Sequence, residues 1–343
     1  MADLIPIEIS QSIAVLAAIV LSGFVTFLLI PPLIKRMTER GITGRDRNKG
    51  DNTEIPQLGG IAVLFGFPIG ISIAAGLLKL TGTLDSMPVL AAIGVLFIGG
   101  MFGIIDDISD IPARVKAVAV AFAALPLMLA KIGQPVIDLP FGYAIDFTSV
   151  DLIFWLVLVP IAVTGVANAM NLSAGYDGLV SGQVAVISMA LLAASIMGSN
   201  GGVYAPLIFA ALFGCAVALN YFSGYPAVIF DGNVGTFSMG AVIAAGVMIS
   251  GLEFAGVIAI APAFYEAFAA IYYMAIKKVN RKPAMANPIV DKNGKMSPPK
   301  GAEHYTLIYW ILSKKPMTEQ NLVRTVLGVY ALCGVLAVLV SVI

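Results

Sequence analysis

Charge is scarce in this chain. Lys, Arg, Asp and Glu make up 12% of its 343 residues, against roughly 25% in a soluble domain. That deficit, with a mean hydropathy of +0.94, excludes a soluble enzyme, a disordered chain and a nucleic-acid binder. Histidine occurs once, as His304, so two-histidine metal motifs are excluded and any zinc or Ser-His-Asp mechanism would rest on that residue alone. The two cysteines, Cys215 and Cys333, both lie inside apolar runs, which argues against a disulfide framework and a thiolate metal site. No internal repeat is visible, which counts against an inverted-repeat transporter.

Apolar residues are abundant instead, at 59%. A membrane span takes about 20 of them, so the chain has material for about ten. The predicted fold is an all-α polytopic integral membrane protein, one domain over 1–343. Its spans are expected at 11–33, 57–80, 87–105, 115–133, 150–169, 180–198, 204–222, 234–251, 254–278 and 321–343. The first run follows Asp3 and Glu8 with no basic n-region, so it reads as a retained span. The alternating stretch 134–149 around Phe141-Gly142 predicts a short hairpin outside the bilayer. Among the 20 basic residues, all but Lys79 and Lys131 fall on one side of this topology. The positive-inside rule makes that side cytoplasmic and puts both termini outside. Cytoplasmic loops are expected at about 34–56, 106–114, 170–179, 223–233 and 279–320, and the outer hairpin at about 134–149.

Every polar cluster then falls on the cytoplasmic face: 44–60, 106–116, 168–179, 230–237 and 277–316. Ionisable groups at membrane depth are costly and usually mark a site. Asp106, Asp107 and Asp110 close the third span, with 106 and 110 on one helical face and 107 turned away. Their mutual repulsion calls for a cation, and Arg114 and Lys116 follow as compensating charge or a phosphate clamp. Hard oxygen ligands of this kind suit magnesium better than zinc. Asn168 and Asn171, three residues apart, can face one cavity. Gly175-Tyr176-Asp177-Gly178 then turns into a helix whose free N–H groups could meet an anion, and the glycines around Asn233 give the same turn-then-helix arrangement.

The order of these motifs resembles the polyprenyl-phosphate N-acetylhexosamine-1-phosphate transferases (glycosyltransferase family 4). The residues that carry the resemblance begin with Asp46-Arg47-Asn48-Lys49, Ile55-Pro56-Gln57-Leu58-Gly59-Gly60, and Gly103-Ile104-Ile105-Asp106-Asp107 with Arg114 and Lys116. Asn168-Ala169-Met170-Asn171, Gly175-Tyr176-Asp177-Gly178-Leu179 and Phe230-Asp231-Gly232-Asn233-Val234-Gly235 complete it, over about residues 10 to 340. The resemblance implies that Asp106 and Asp107 are the paired catalytic aspartates and that Lys116 faces the phosphates. It implies that Asn171 and the residue at 233 hold magnesium, with manganese as the alternative, and that Asp177 helps hold the nucleotide. Asp46, Asn48, Lys49, Gln57, Asp110, Arg114, Asn168, Gly178, Asp231, Gly232 and His304 are expected to line the substrate sites.

Two departures bear on the site. Most relatives carry Asp where this chain has Asn233; an amide oxygen still coordinates magnesium but adds no charge, leaving Asp231 as a compensating acid, a metal held mainly by Asn171, phosphates and water, or a weakened enzyme. The segment 301–306 (GAEHYT) retains one histidine where the bacterial cell-wall branch has a run of them. The resemblance therefore implies a membrane enzyme of the cell membrane or endoplasmic reticulum, its active site facing the cytoplasm. It would pass N-acetylglucosamine-1-phosphate from UDP-GlcNAc to dolichyl phosphate, with undecaprenyl phosphate as the alternative acceptor and a homodimer as one assembly. Asp106 or Asp107 would orient or deprotonate the lipid phosphate, and a lipid groove is expected beside the helix at 254–278 that contains Pro262. Two rival classes would arrange the same residue types differently. A transporter of anionic metabolites would place its charges at mid-membrane, and an intramembrane aspartyl protease would pair Glu253 with Glu266.

Overall fold

The computed structural model of the chain describes residues 7–49, 53–82, 84–109, 111–198, 202–273 and 287–343. Within them the protein is mostly helical, and nine helices are long and apolar enough to cross a membrane. In chain order the helices are α1 (Ile7–Glu39), α2 (Ile61–Thr81), α3 (Met87–Ser109), α4 (Ala113–Ala119) and α5 (Leu125–Ala130). Next come α6 (Asp151–Ile153), α7 (Val159–Leu172), α8 (Leu179–Met197), α9 (Tyr204–Ser223), α10 (Gly232–Ser250), α11 (Glu253–Ile271), α12 (Leu307–Lys314) and α13 (Glu319–Val342). A π turn over Phe154–Leu158 joins α6 to α7, just ahead of Pro160, whose ring cannot donate to the ladder.

The expected span at 115–133 is not one helix. It is α4, a 3₁₀ stretch over Val120–Ala124 and α5, and it stops at Lys131 in a left-handed conformation. Pro126 accounts for the break, because it has no N–H and its ring displaces the carbonyl four residues back. The helix at 254–278 begins as α11 and carries through Pro262; residues 274–286 lie outside the described residues. The predicted hairpin forms, with β3 (Val136–Leu139) antiparallel to β4 (Tyr143–Asp146) and Leu139 opposite Tyr143.

Two further small sheets were not predicted. β1 (Thr43–Arg45) pairs with β2 (Glu54–Pro56), and β5 (Ile289–Val290), β6 (Lys295–Ser297) and β7 (Met317–Thr318) form a three-stranded sheet. Their strands are two or three residues long, too short for an alternating pattern to register.

α10 is the centre of the bundle. Its apolar stretch is 83% buried, against 22% for α13 and 28% for α1. Small residues let its neighbours close on it, as expected where packing rather than hydropathy drives association. A Cβ on Gly103 of α3 would lie 2.4 Å from Val234 Cα and 2.5 Å from the Asn233 carbonyl oxygen. This close approach sets the C-terminal end of α3, with its two aspartates, against the N-terminal end of α10.

Candidate active site

Asp107 and Asn233 are joined through the backbone. The Asn233 N–H donates to Asp107 Oδ1 at 2.9 Å and the Val234 N–H to Oδ2 at 3.0 Å, so one carboxylate caps the first turn of α10. Asp106 turns the other way, as the helical spacing requires, and its buried Oδ2 accepts from Lys116 Nζ at 3.0 Å. The adjacent acids are thus separated in role: one holds a helix end, the other holds a lysine.

α8 is built alike. Gly178 adopts a left-handed conformation at φ +69 ahead of Leu179, and a Cβ there would sit 2.7 Å from Gly224 Cα. The free N–H of Ser181 is taken by Asp231 Oδ2 at 3.1 Å. Both helix ends that the sequence offered to a substrate phosphate are therefore occupied by the chain's own carboxylates, and each satisfies the orphan donors and the positive end of the helix dipole. Asp231 gives Oδ2 to the Ser181 N–H, while its buried Oδ1 has no hydrogen-bond partner among the described residues. Burial pushes its carboxyl up to about 6, against the hydrogen bonds from Ser223 and Ser181 that stabilise the charged form.

A polar cavity of about 400 Å³ gathers Asp46, Asn48, Gln57, Asp107, Asp177, Gly178, Asp231, Gly232 and Asn233. It also takes in Arg45, Arg47, Tyr176, Thr236 and Asn287, for which no site role was predicted. At its wall, Lys49 Nζ bridges Asp46 Oδ2 at 2.7 Å and Asp177 Oδ2 at 2.6 Å. Burial lowers the Lys49 pKa, but the hydrogen bonds to Asp177 and Asp46 outweigh it and the net shift is upward.

Beside the cavity runs an apolar groove of about 860 Å³ between α7, α10 and α11. It is lined along α11 by Gly256, Val257, Ile260, Phe264, Phe268 and Ile271, which is the expected position next to Pro262. Arg114, Lys116, Asn168 and Asn171 stand at its polar end. The Asn168 amide turns back to the Thr164 carbonyl of its own helix at 2.8 Å. Asn171 faces across: its Nδ2 donates to Asn233 Oδ1 at 2.6 Å and to Thr236 Oγ1 at 2.9 Å.

Some expectations fall elsewhere. His304 is exposed and lines neither space. Asp110 lies outside the described residues. Glu253 and Glu266 stand thirteen residues apart on α11, about 20 Å by helical rise, and Glu266 accepts from the Ile308 N–H at 3.1 Å; they cannot share a proton.

Among the described residues, two groups of oxygens bear on cation binding. Asp46, Asp177 and Glu319 bring carboxylate oxygens within 4.8 Å of one another, all buried, but the Lys49 ammonium already bridges two of the three. At the seam between cavity and groove, Asn233 Oδ1 and Thr236 Oγ1 both accept from the Asn171 amide nitrogen. They are neutral, hard oxygens of the kind a divalent cation takes when a substrate's phosphates supply the charge.

Comparison with known proteins gives this arrangement a family. The family model described as glycosyl transferase family 4 matches residues 89–251. A protein of Saccharolobus solfataricus, named as a candidate UDP-N-acetylglucosamine–dolichyl-phosphate N-acetylglucosaminephosphotransferase, is 32% identical over 76% of this chain and 75% of its own. The chain belongs to glycosyl transferase family 4. A Bacillus subtilis relative named as a candidate undecaprenyl-phosphate N-acetylglucosaminyl 1-phosphate transferase is 27% identical, covering 67% of this chain and 61% of its own. A phospho-N-acetylmuramoyl-pentapeptide-transferase of Thermodesulfovibrio yellowstonii is also 27% identical, covering 65% of this chain and 68% of its own. Besides the five cavity residues without a predicted role, sequence reasoning on this family-4 chain missed Glu319, which bonds Asn48 and Asp177 behind the cavity wall. An acid opening a span is a recognisable signal, yet in a helix's first turn it reads equally as a dipole partner.

Proposed function

We propose that this chain transfers N-acetylglucosamine-1-phosphate from UDP-GlcNAc to a dolichyl-type polyprenyl phosphate, releasing UMP. The observation that carries this reading is the Asn171–Asn233 hydrogen bond of 2.6 Å, because Asn171 lines the apolar groove and Asn233 the polar cavity. A lipid held in the groove and a nucleotide held in the cavity would meet at that seam.

In this reading an oxygen of the lipid phosphate attacks the sugar-bearing phosphorus of the donor. The bond from that phosphorus to the oxygen bridging the two phosphates breaks, and UMP leaves with the bridging oxygen. The phosphate nucleophile is largely ionised near neutral pH, so the protein's contribution is alignment and charge compensation. Lys116 and Arg114 attract the lipid phosphate at the head of the groove, and Asp106 orients the Lys116 ammonium. Asp107 acts one step back, by fixing the first turn of α10 and with it Asn233. Asn171, Asn233 and Thr236 would hold magnesium, which supplies positive charge to the donor diphosphate. Manganese is the alternative ion.

The same reading puts ten crossings in the membrane, counting the broken helix of α4 and α5, with the seam on the cytoplasmic side where the basic residues collect. Undecaprenyl phosphate is the second acceptor, supported by the Bacillus relative's name. UMP release by the purified protein in detergent tests the proposal, with UDP-GlcNAc set against other UDP-sugars and dolichyl against undecaprenyl phosphate. Release that needs the lipid, a divalent metal and UDP-GlcNAc is the expected result. Folded protein that binds UDP-sugar and releases no UMP with either lipid would refute it.

A further inference from the structure

Glu319 opens α13 and is 3% exposed. Acids in a first turn ordinarily serve their own helix's free N–H groups. This one reaches away from its helix: Oε1 accepts from Asn48 Nδ2 at 3.0 Å and from the Asp177 N–H at 3.0 Å. The Asn48 amide also donates to the Gly175 carbonyl at 2.8 Å. Three bonds thereby fasten the 46–49 loop to the 175–178 turn, segments 127 residues apart at that contact.

Asp46, Asn48, Gly175 and Asp177 line the polar cavity, and Glu319 stands behind them. Its chain neighbour Thr318 pairs with Lys295 of β6, which in turn pairs with β5, and Asn287 and Pro288 just ahead of β5 line the same cavity. One carboxylate oxygen therefore ties together two walls of the cavity, and the sheet that begins beside it carries the third. Lys49 already supplies a cation to Asp46 and Asp177 at 2.7 and 2.6 Å, so the cluster does not require a metal to be compensated.

We infer that Glu319 is a positioning residue for the donor: it sets the separation of the two loops that grip the nucleotide sugar without touching the sugar nucleotide itself. The inference rests on the reading of the cavity as the donor site. It requires a hydrogen-bond acceptor at this position and not a charge.

Kinetics of the purified protein test it, with donor titrated at saturating lipid and lipid at saturating donor. Glu319→Leu removes the acceptor and should raise the donor KM about tenfold, the effect of losing two ordinary hydrogen bonds. The lipid KM and kcat should stay within about twofold, the signature of lost uniform binding. Glu319→Gln keeps an acceptor oxygen and should hold the donor KM within about threefold. A leucine variant that raises both KM values together, or lowers kcat with the donor KM unmoved, would overturn the inference in favour of a merely structural role. A glutamine variant as impaired as leucine would overturn it in favour of charge. Should the leucine variant not fold, Glu319→Asp takes its place, since it withdraws the oxygen by one methylene. If the wild-type protein itself releases no UMP, the proposed reaction fails, and the rise in melting temperature on adding UDP-GlcNAc then reads donor binding for the same variants.

Discussion

Asp107 Oδ1 accepts the Asn233 N–H at 2.9 Å, so an aspartate that sequence motifs present as a reacting group is the cap of the neighbouring helix. Both oxygens of Asp107 accept a backbone donor of α10, whereas its neighbour Asp106 gives one oxygen to Lys116, which lines the groove.

Asp107→Ala leaves two N–H groups of α10 without partners. The expected cost is about 1–3 kcal/mol of stability, together with a fall in kcat as Asn233 loses its fixed position. Melting in detergent and UMP release measure the two effects; an unchanged melting temperature would show that the cap is dispensable.

Lys116→Gln removes the positive charge at the head of the groove and leaves Asp106 unpaired. A drop of roughly 10²-fold in kcat/KM for the lipid phosphate is expected, the scale of losing one charged stabiliser of a transition state. Titration of both substrates would locate the effect, and a loss confined to the donor would assign Lys116 to the other substrate.

Asn233→Asp adds a charged oxygen to the seam with Asn171. If residue 233 contributes to metal binding, half-maximal activity should come at a lower magnesium concentration in the variant. Superimposable magnesium titrations would remove Asn233 from the metal's surroundings.

Asp231 gives the protein an acid-side dependence of definite sign. Its folded carboxyl sits at about 6, above the ordinary value of 3.8, so the native state holds the proton more tightly than the unfolded chain. The stabilisation is full below about pH 4 and is lost as pH rises through about 6. Asp231→Asn cannot lose a proton, so its melting temperature should decline less than that of the wild type between those limits. Parallel melting curves over that range would show that the carboxyl does not titrate there.

Much of the site was legible because its residues carry their chemistry in short motifs. The acids at 106 and 107, the amides at 168 and 171 and the glycine turns before α8 and α10 stand out in any apolar chain, since each costs free energy at membrane depth. Their partners were not legible. That Asp231 belongs to Ser181 and Asp107 to Asn233 depends on bonds 50 and 126 residues long in sequence, and no local spacing encodes them. The two helix ends hold the chain's own carboxylates for this reason: the motif describes the donors, while the tertiary fold chooses the acceptor. His304 differs, since a lone histidine has no pattern to read and the fold leaves it exposed, outside the lining of both spaces.

The sequence by itself determined that this protein lies in a membrane, because an apolar content of 59% admits no other solvent, and it determined the order of the motifs that mark the family. Tertiary structure decided which carboxylates are free. Gly103 lets α3 press on α10, Asp107 and Asp231 fill the helix ends, and Glu319 reaches from the last span to two loops near the start and middle of the chain. Helix dipoles and unpaired N–H groups attract whichever anion is held nearest, and nearness between distant segments is a property of packing.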